Sequence, residues 1–258
     1  MCSSDLEFVK KMNERAKGLG MENTNFEDCC GLTESDNHYT SAHDVAIMSR
    51  ELITKYPKIL EYSSVWMENI THVTKKGSSE FGLTNTNKLI RSYDGCVGLK
   101  TGSTSVAKYC VSAVAKREGI TLISVVMTAP DYKVRFKDAA AMLNLGFGSC
   151  KLYVDEQKEK LPDILVEGGV LEKVPCEFER KFRYLDTEGA SFEHIEKKVK
   201  MKKSVKAPVK KGEEMGSVEY YLDGKKIGSV KIICTKGTKK ADYGDCIKKV
   251  WSCFLKKM

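Results

Sequence analysis

Apolar residues recur at helical spacing near the start of the chain. Phe8, Val9, Met12, Ala16 and Leu19 form one face, with Ser4 or Asp5 as a cap and Gly18 and Gly20 as a stop. A polar loop follows. Ser41, with Asp44 three residues on, predicts a second helix whose inner face is Val45, Met48, Leu52 and Tyr56. Pro57 ends that helix and opens a short third one. Weaker strand or loop segments, Val65–Val73 and Phe81–Ile90, flank Lys75-Lys76-Gly77.

From Cys96 the pattern changes to strands. Cys96–Thr104 reads as a short buried strand. The runs Tyr109–Ala115 and Ile120–Met127, rich in valine and isoleucine, predict a buried hairpin around Arg117-Glu118-Gly119. After Pro130-Asp131, a helix carrying Phe136, Ala139, Ala140, Leu143 and Phe147 is expected to end at Gly146 and Gly148. Helices bracketing antiparallel strands predict an α+β layer domain over residues 1–149.

Short alternating runs follow, with Asp223-Gly224 between Glu219–Leu222 and Lys226–Val230 as a two-residue hairpin signal. They predict a small β-sandwich-like domain over 150–241. In 242–258, Ile247, Val250, Trp251, Phe254 and Leu255 share one helical face, with Lys248, Lys249, Lys256 and Lys257 off it. That helix is too short to span a bilayer and suits a membrane interface. Docking on its own protein is the alternative.

Composition narrows the function classes. Ten cysteines match no zinc spacing and only four histidines are present, so no metal or cofactor is expected. The cysteines read as small apolar residues in a reducing setting. Met1 leads directly into an amphipathic stretch without an apolar signal region, so the chain as written is expected to stay cytoplasmic. A net charge of +8 allows anionic partners, and eight lysines fall between Glu196 and Lys211. Without stacking aromatics or an arginine-rich face they read as a solvated strand pair, and no nucleic acid is expected. His38, His43 and Asp44 read as parts of a helix start rather than a base or metal site.

The chemistry gathers at Lys100-Thr101-Gly102-Ser103-Thr104. Lysine offers a fixed positive charge, the hydroxyls offer hydrogen bonds to a carboxylate, and glycine lets a substrate backbone approach the strand. Four stretches place this motif in context. They are Phe8–Asn13 through Gly20-Met21 and Asn23–Phe26; Gly31-Leu32 with His38–Asp44; Gly98–Thr104 with Asn85–Lys88; and Ala207–Gly212 with the Asp223-Gly224 hairpin. Together they resemble the low-molecular-mass penicillin-binding proteins, the serine D-alanyl-D-alanine carboxypeptidases. One departure is Val97, where many members carry aspartate.

The resemblance implies a partial transpeptidase domain, then the family's β domain and an amphipathic anchor on the outer face of the membrane. It implies that Lys100 and Thr101, helped by Ser103 and Thr104, bind the carboxylate end of a peptidoglycan stem peptide or a β-lactam, with Gly102 leaving room for the peptide. The family's Ser-x-x-Lys nucleophile and base would lie upstream of Met1. Ser105-Val106-Ala107-Lys108 and Ser35-Asp36-Asn37 fit the family's two other motifs literally. Both fall in turns and in the wrong order, so no catalytic residue is expected here. An amino-terminally truncated member, inactive alone, is therefore expected. A non-catalytic envelope or membrane-binding module is the alternative, and a nucleic-acid module is less favoured.

Overall fold

The computed structural model describes residues 3–32, 35–75 and 77–255, with side chains from Asp5 to Trp251 outside the two gaps. Its contacts divide the chain into two compact units, Met1–Ser149 and Cys150–Met258. The first contains, in order, α1 (Ser3–Gly18), α2 (Ala42–Lys55), α3 (Ile59–Ser63), β1 (Met67–Thr74), β2 (Gly77–Thr84), α4 (Leu89–Ser92), β3 (Cys96–Thr104), β4 (Lys108–Arg117), β5 (Ile120–Ala129) and α5 (Tyr132–Ser149).

Strands β3, β4 and β5 form one antiparallel sheet in that order, leaving β3 at its edge. Val111, Ala113 and Ala115 of β4 pack with Phe136, Ala139 and Leu143 of α5 into the core on one face. On the other side a buried hydroxyl pair, Ser49 Oγ to Ser112 Oγ at 2.8 Å, joins α2 to β4. Asp131 caps α5 by accepting hydrogen bonds from the Lys133 and Val134 amides.

Several helical details differ from the periodicity. Helix α1 starts at Ser3, ahead of the expected cap. Gly146 and Gly148 lie inside α5 rather than ending it. A Cβ at Gly146 would come within 2.7 Å of Leu122 Cδ1, so that glycine permits close helix–strand approach. Ser41 caps α2 as expected, accepting from the Asp44 amide at 3.1 Å. The buried α2 residues are nevertheless Asp44 and Ser49, while Met48 and Tyr56 are exposed. Phe8 of α1 is also exposed. The two weak segments form a hairpin, β1–β2, that is exposed along its whole length.

The second unit is built of β6 (Lys151–Val154), β7 (Ile164–Glu167), β8 (Lys173–Val174), β9 (Cys176–Phe178), β10 (Arg183–Asp186), β11 (Ile195–Met201), β12 (Ser204–Lys206), β13 (Glu214–Leu222) and β14 (Lys225–Cys234), followed by α6 (Tyr243–Leu255). Its sheets run β11-β13-β14-β9, β12-β7-β8 and β10-β6. Ile164, Val174, Met215, Val218, Tyr220 and Ile232 fill the core. Asp223, in the left-handed region at φ 48°, and Gly224 turn β13 into β14.

The lysines of β11 are largely neutralised within the unit. Lys200 and Lys226 both meet Glu219 at 2.7 Å and, with Tyr221, hold its carboxyl down at about 2. The central polar contact lies deeper. Buried Asp155 accepts from Lys197 at 2.7 Å and from the Tyr220 hydroxyl at 2.7 Å, and the Tyr220 ring stacks on Phe182 at 3.7 Å. Burial alone would raise the Asp155 carboxyl. The hydrogen bonds from Lys197, Tyr220 and the Gln157 amide outweigh it and hold the group below its ordinary value.

A carboxylate lowered in the folded state stabilises above the ordinary carboxylate range and loses that contribution as pH falls through its folded value. Asp155→Asn is therefore expected to destabilise the second unit by about 3 kcal/mol at neutral pH, since it strands half of a buried pair. Denaturant titrations across pH check this. The wild-type chain should lose stability below the carboxylate range, and the variant should lose less.

Candidate functional site

Three side chains define the start of β3 before its chemistry begins. Ser63, at the end of α3, donates its hydroxyl to Val97 O at 2.8 Å. Asn87, fully buried, donates Nδ2 to Gly98 O at 3.0 Å, and its Oδ1 accepts from the Leu89 amide that begins α4. Asn85 reaches back to Ser63 O and Val65 O, closing the base of the β1–β2 hairpin. Side chains thus satisfy the outer carbonyls of β3 at Val97 and Gly98.

The edge opens immediately afterwards. Lys100 is exposed, Thr101 is buried, Gly102 and Ser103 are exposed and Thr104 is half-buried. Lys100 Nζ donates to Thr101 O. The Thr101 hydroxyl pairs with Thr86 Oγ1 at 2.6 Å. A Cβ at Gly102 would meet nothing within 4 Å, so the space above that residue is free for an approaching backbone. Thr104 Oγ1 accepts from the Ala107 amide at 2.9 Å in the β3–β4 turn.

A cation that the sequence pattern did not single out lies beneath this strand. Arg135, on the first turn of α5, is 8% exposed. Its Nη1 donates to Gly102 O at 3.1 Å and to Cys110 O at 3.2 Å, the two residues that face each other across β3 and β4. Burial lowers its guanidinium from the ordinary value, and its Nε has no hydrogen-bond partner among the described residues. The available signal was a lone arginine on the apolar side of a helix, which is seldom placed there without a polar partner.

A cavity of about 440 Å³ adjoins the strand. Its walls are Val45, Met48 and Leu52 of α2, Ile59 of α3 and Val125–Met127 of β5, and Leu99–Gly102 line its rim. The expected inner face of α2 therefore lines an open apolar groove. On the far side of Lys100, a second hollow of about 350 Å³ runs to Trp66, Met67 and Leu83 at the root of the β1–β2 hairpin.

The two literal motifs fall as their composition suggests. Ser105 stands in the turn between β3 and β4, and Lys108 begins β4 in the left-handed region, so no helix brings the two together. Ser35-Asp36-Asn37 is a turn in which Ser35 Oγ accepts from the Asn37 amide. Asp44, His38 and His43 belong to the loop and helix start. Asp44 accepts from the Thr24 hydroxyl at 2.7 Å and the Asn23 amide at 2.8 Å, and those bonds hold its carboxyl below the ordinary value despite burial. Of the apolar residues named on α6, Ile247, Val250 and Trp251 are exposed; the side chains of Phe254 and Leu255 lie outside the described residues.

The chain is similar to known proteins over most of its length. Residues 1–131 match the family profile described as D-alanyl-D-alanine carboxypeptidase, and residues 147–240 match the C-terminal domain of penicillin-binding protein 5. The chain is 34% identical over 241 residues to the D-alanyl-D-alanine carboxypeptidase DacF of Bacillus subtilis, covering 93% of this chain and 61% of that protein. It is 31% identical over 239 residues to DacA of Haemophilus influenzae, covering 87% and 56%. The chain thus spans somewhat over half the length of these relatives. Among solved structures, penicillin binding protein 5 from Haemophilus influenzae superposes with a TM-score of 0.60 at 28% identity, over 90% of this chain and 66% of that one.

The hold on β3 is testable. Asn87→Ala removes the donor to Gly98 O and the acceptor for the Leu89 amide, leaving buried backbone groups unsatisfied. A loss of about 2 kcal/mol in the stability of the first unit is expected from chemical denaturation. An unchanged midpoint would show that water replaces the amide.

Proposed function

Because the chain belongs to the D-alanyl-D-alanine carboxypeptidase family of low-molecular-mass penicillin-binding proteins, we propose that it forms the substrate-recognition part of a serine peptidase that trims peptidoglycan stem peptides. The observation that carries this reading is the open edge of β3. Lys100, Gly102 and Ser103 are exposed there, beside an apolar groove and above a buried guanidinium.

In this reading the terminal carboxylate of a D-alanyl-D-alanine peptide lies against Lys100, Thr101, Ser103 and Thr104. The Lys100 ammonium supplies charge, and the hydroxyls supply directed donors. The Thr86–Thr101 contact serves that purpose. When Thr86 donates to Thr101 Oγ1, the Thr101 proton is left to point at the carboxylate. Gly102 admits the peptide backbone, and Arg135 fixes the strand and adds positive potential from below.

The nucleophile is assigned to a Ser-x-x-Lys helix outside these 258 residues. The groove walled by α2, α3 and β5 suits an apolar helix, which would bring its serine to the rim at Lys100. A neutral lysine amine one turn on would take the serine proton as the oxygen attacks the penultimate carbonyl. The terminal D-alanine would depart with its amine protonated, and water would then release the acyl group. A β-lactam would acylate the same serine. The chain alone is accordingly inactive. The reaction is placed on the outer face of the cytoplasmic membrane, with α6 in the interface through Ile247, Val250, Trp251, Phe254 and Leu255. The exposure of Ile247, Val250 and Trp251 supports that placement.

The purified chain is expected to remain unlabelled by a fluorescent penicillin. Fusing it behind the preceding portion of Bacillus subtilis DacF should restore labelling, and Lys100→Ala in the fusion should slow it roughly a hundredfold. Stoichiometric labelling of the unfused chain, at Ser105, Ser35 or any other serine, would overturn the reading.

A further inference from the structure

Two of the free cysteines face each other across one sheet. In the pairing of β14 with β9, Cys234 stands opposite Cys176. The flanking hydrogen bonds fix the type of rung. The Glu179 amide donates to Lys231 O and the Thr235 amide donates to Pro175 O, each at 2.9 Å. Hydrogen-bonded rungs alternate along an antiparallel ladder, so 179/231 and 175/235 belong to that set and 176/234 falls between them.

In a non-hydrogen-bonded rung the Cα atoms are about 4.5 Å apart and the side chains are at their closest. That lies inside the range of about 4.4–6.8 Å that a disulfide spans. Opposed residues also project from the same face. Here that face is the core: Cys234 is fully buried, and Cys176 packs against the same cluster. The thiols' hydrogen bonds go to backbone groups, Cys234 Sγ to Lys210 O at 2.9 Å and Cys176 Sγ to Val174 O at 3.8 Å, with a further backbone contact from Cys176 to Ile164. Rotation about χ1 would release both.

We propose that Cys176 and Cys234 are a covalent modification site, closing to an intramolecular disulfide when the chain meets a small-molecule disulfide oxidant. Cys176 is the less buried and reacts first. Its thiolate attacks one sulfur of the oxidant, forms a mixed disulfide and expels one small thiolate. The Cys234 thiolate then attacks the Cys176 sulfur and expels the second. Two protein thiols are oxidised, one small disulfide is reduced to two thiols, and the two protons pass to the departing thiolates. Burial pushes the Cys176 thiol up, and the neighbouring Cys234 adds to this. The closure is therefore slow at neutral pH and speeds up as pH rises. The cross-link ties edge strand β9 to β14.

The test uses the full reduced chain and glutathione disulfide, followed by proteolysis and mass spectrometry. The expected product is a peptide pair joined through Cys176 and Cys234, two hydrogens lighter than the sum of its parts. A rise in the denaturation midpoint of the second unit, reversed by a dithiol reductant, should accompany it. Cys176→Ala, at a half-buried edge position, should keep the fold by circular dichroism and abolish the rise while glutathione still adds to exposed Cys29 and Cys30. The proposal fails if Cys176 ends as a glutathione adduct alone, or if Cys234 stays alkylatable in the unfolded digest of fully oxidised protein.

Discussion

The first unit depends on how one strand edge is divided. An edge strand presents a row of backbone donors and acceptors, and leaving it bare along its length invites aggregation. Here its first residues are closed by side chains. Ser63 takes Val97 O and Asn87 takes Gly98 O, and both come from the short helices or loops packed beside β3. The next residues are left open at Lys100, Gly102 and Ser103. The boundary falls at Thr101, whose hydroxyl is held from the closed side by Thr86. Among the described residues the opening along β3 is thus confined to a short run beside Thr101.

The same strand is held from beneath by a cation rather than by apolar packing. Burying a guanidinium is costly unless its donors are used, and two of those donations go to carbonyls on β3 and β4 at the same level. The contact does two things at once. It clamps the two strands at the level of Gly102, where no side chain on β3 can contribute packing, and it places positive charge within reach of whatever lies on that glycine. A hydrophobic residue at 135 would satisfy the core and provide neither. The apolar groove on the opposite side of the sheet has the complementary character. Val45, Met48 and Leu52 repeat with the period of a buried helix face, yet they line open space. A helix face patterned for burial therefore lines an open groove among the described residues.

How much of this could be read in the sequence depends on the range of the interaction. The β4–β5 hairpin, the Asp223-Gly224 turn and the Ser41 cap were legible, because each is fixed by residues a few positions apart. The strand carrying Lys100-Thr101-Gly102 was legible for the same reason. Arg135 was not, and Asn87 stood out only as part of the Asn85–Lys88 stretch, since their partners lie 33 and 11 residues away and nothing in the local pattern marks a side chain that serves a distant carbonyl. Gly146 and Gly148 read as helix terminators; for Gly146, composition cannot show that Leu122 of another strand needs the space of a missing Cβ. Met48 and Phe8 read as core because periodicity reports which face is apolar, not whether anything covers it.

The second unit shows the same limit for cysteine. From spacing alone, ten cysteines without a metal pattern reduce to small apolar residues, and for Cys96, buried in the core with its thiol pushed up by desolvation, that description suffices. Cys176 and Cys234 are far apart in sequence and equally apolar in setting, but register places them on one rung. Register is set by the whole sheet: by the turn at Asp223-Gly224, by the β13–β14 ladder and by the Asp155–Lys197–Tyr220 contact that fixes β11 and β13. A slip of one residue in β9 would send Cys176 to the solvent face and leave Cys234 unpaired in the core. The chemistry available to those two thiols is therefore a property of the sheet's alignment, and no inspection of either cysteine's neighbours along the chain could have revealed it.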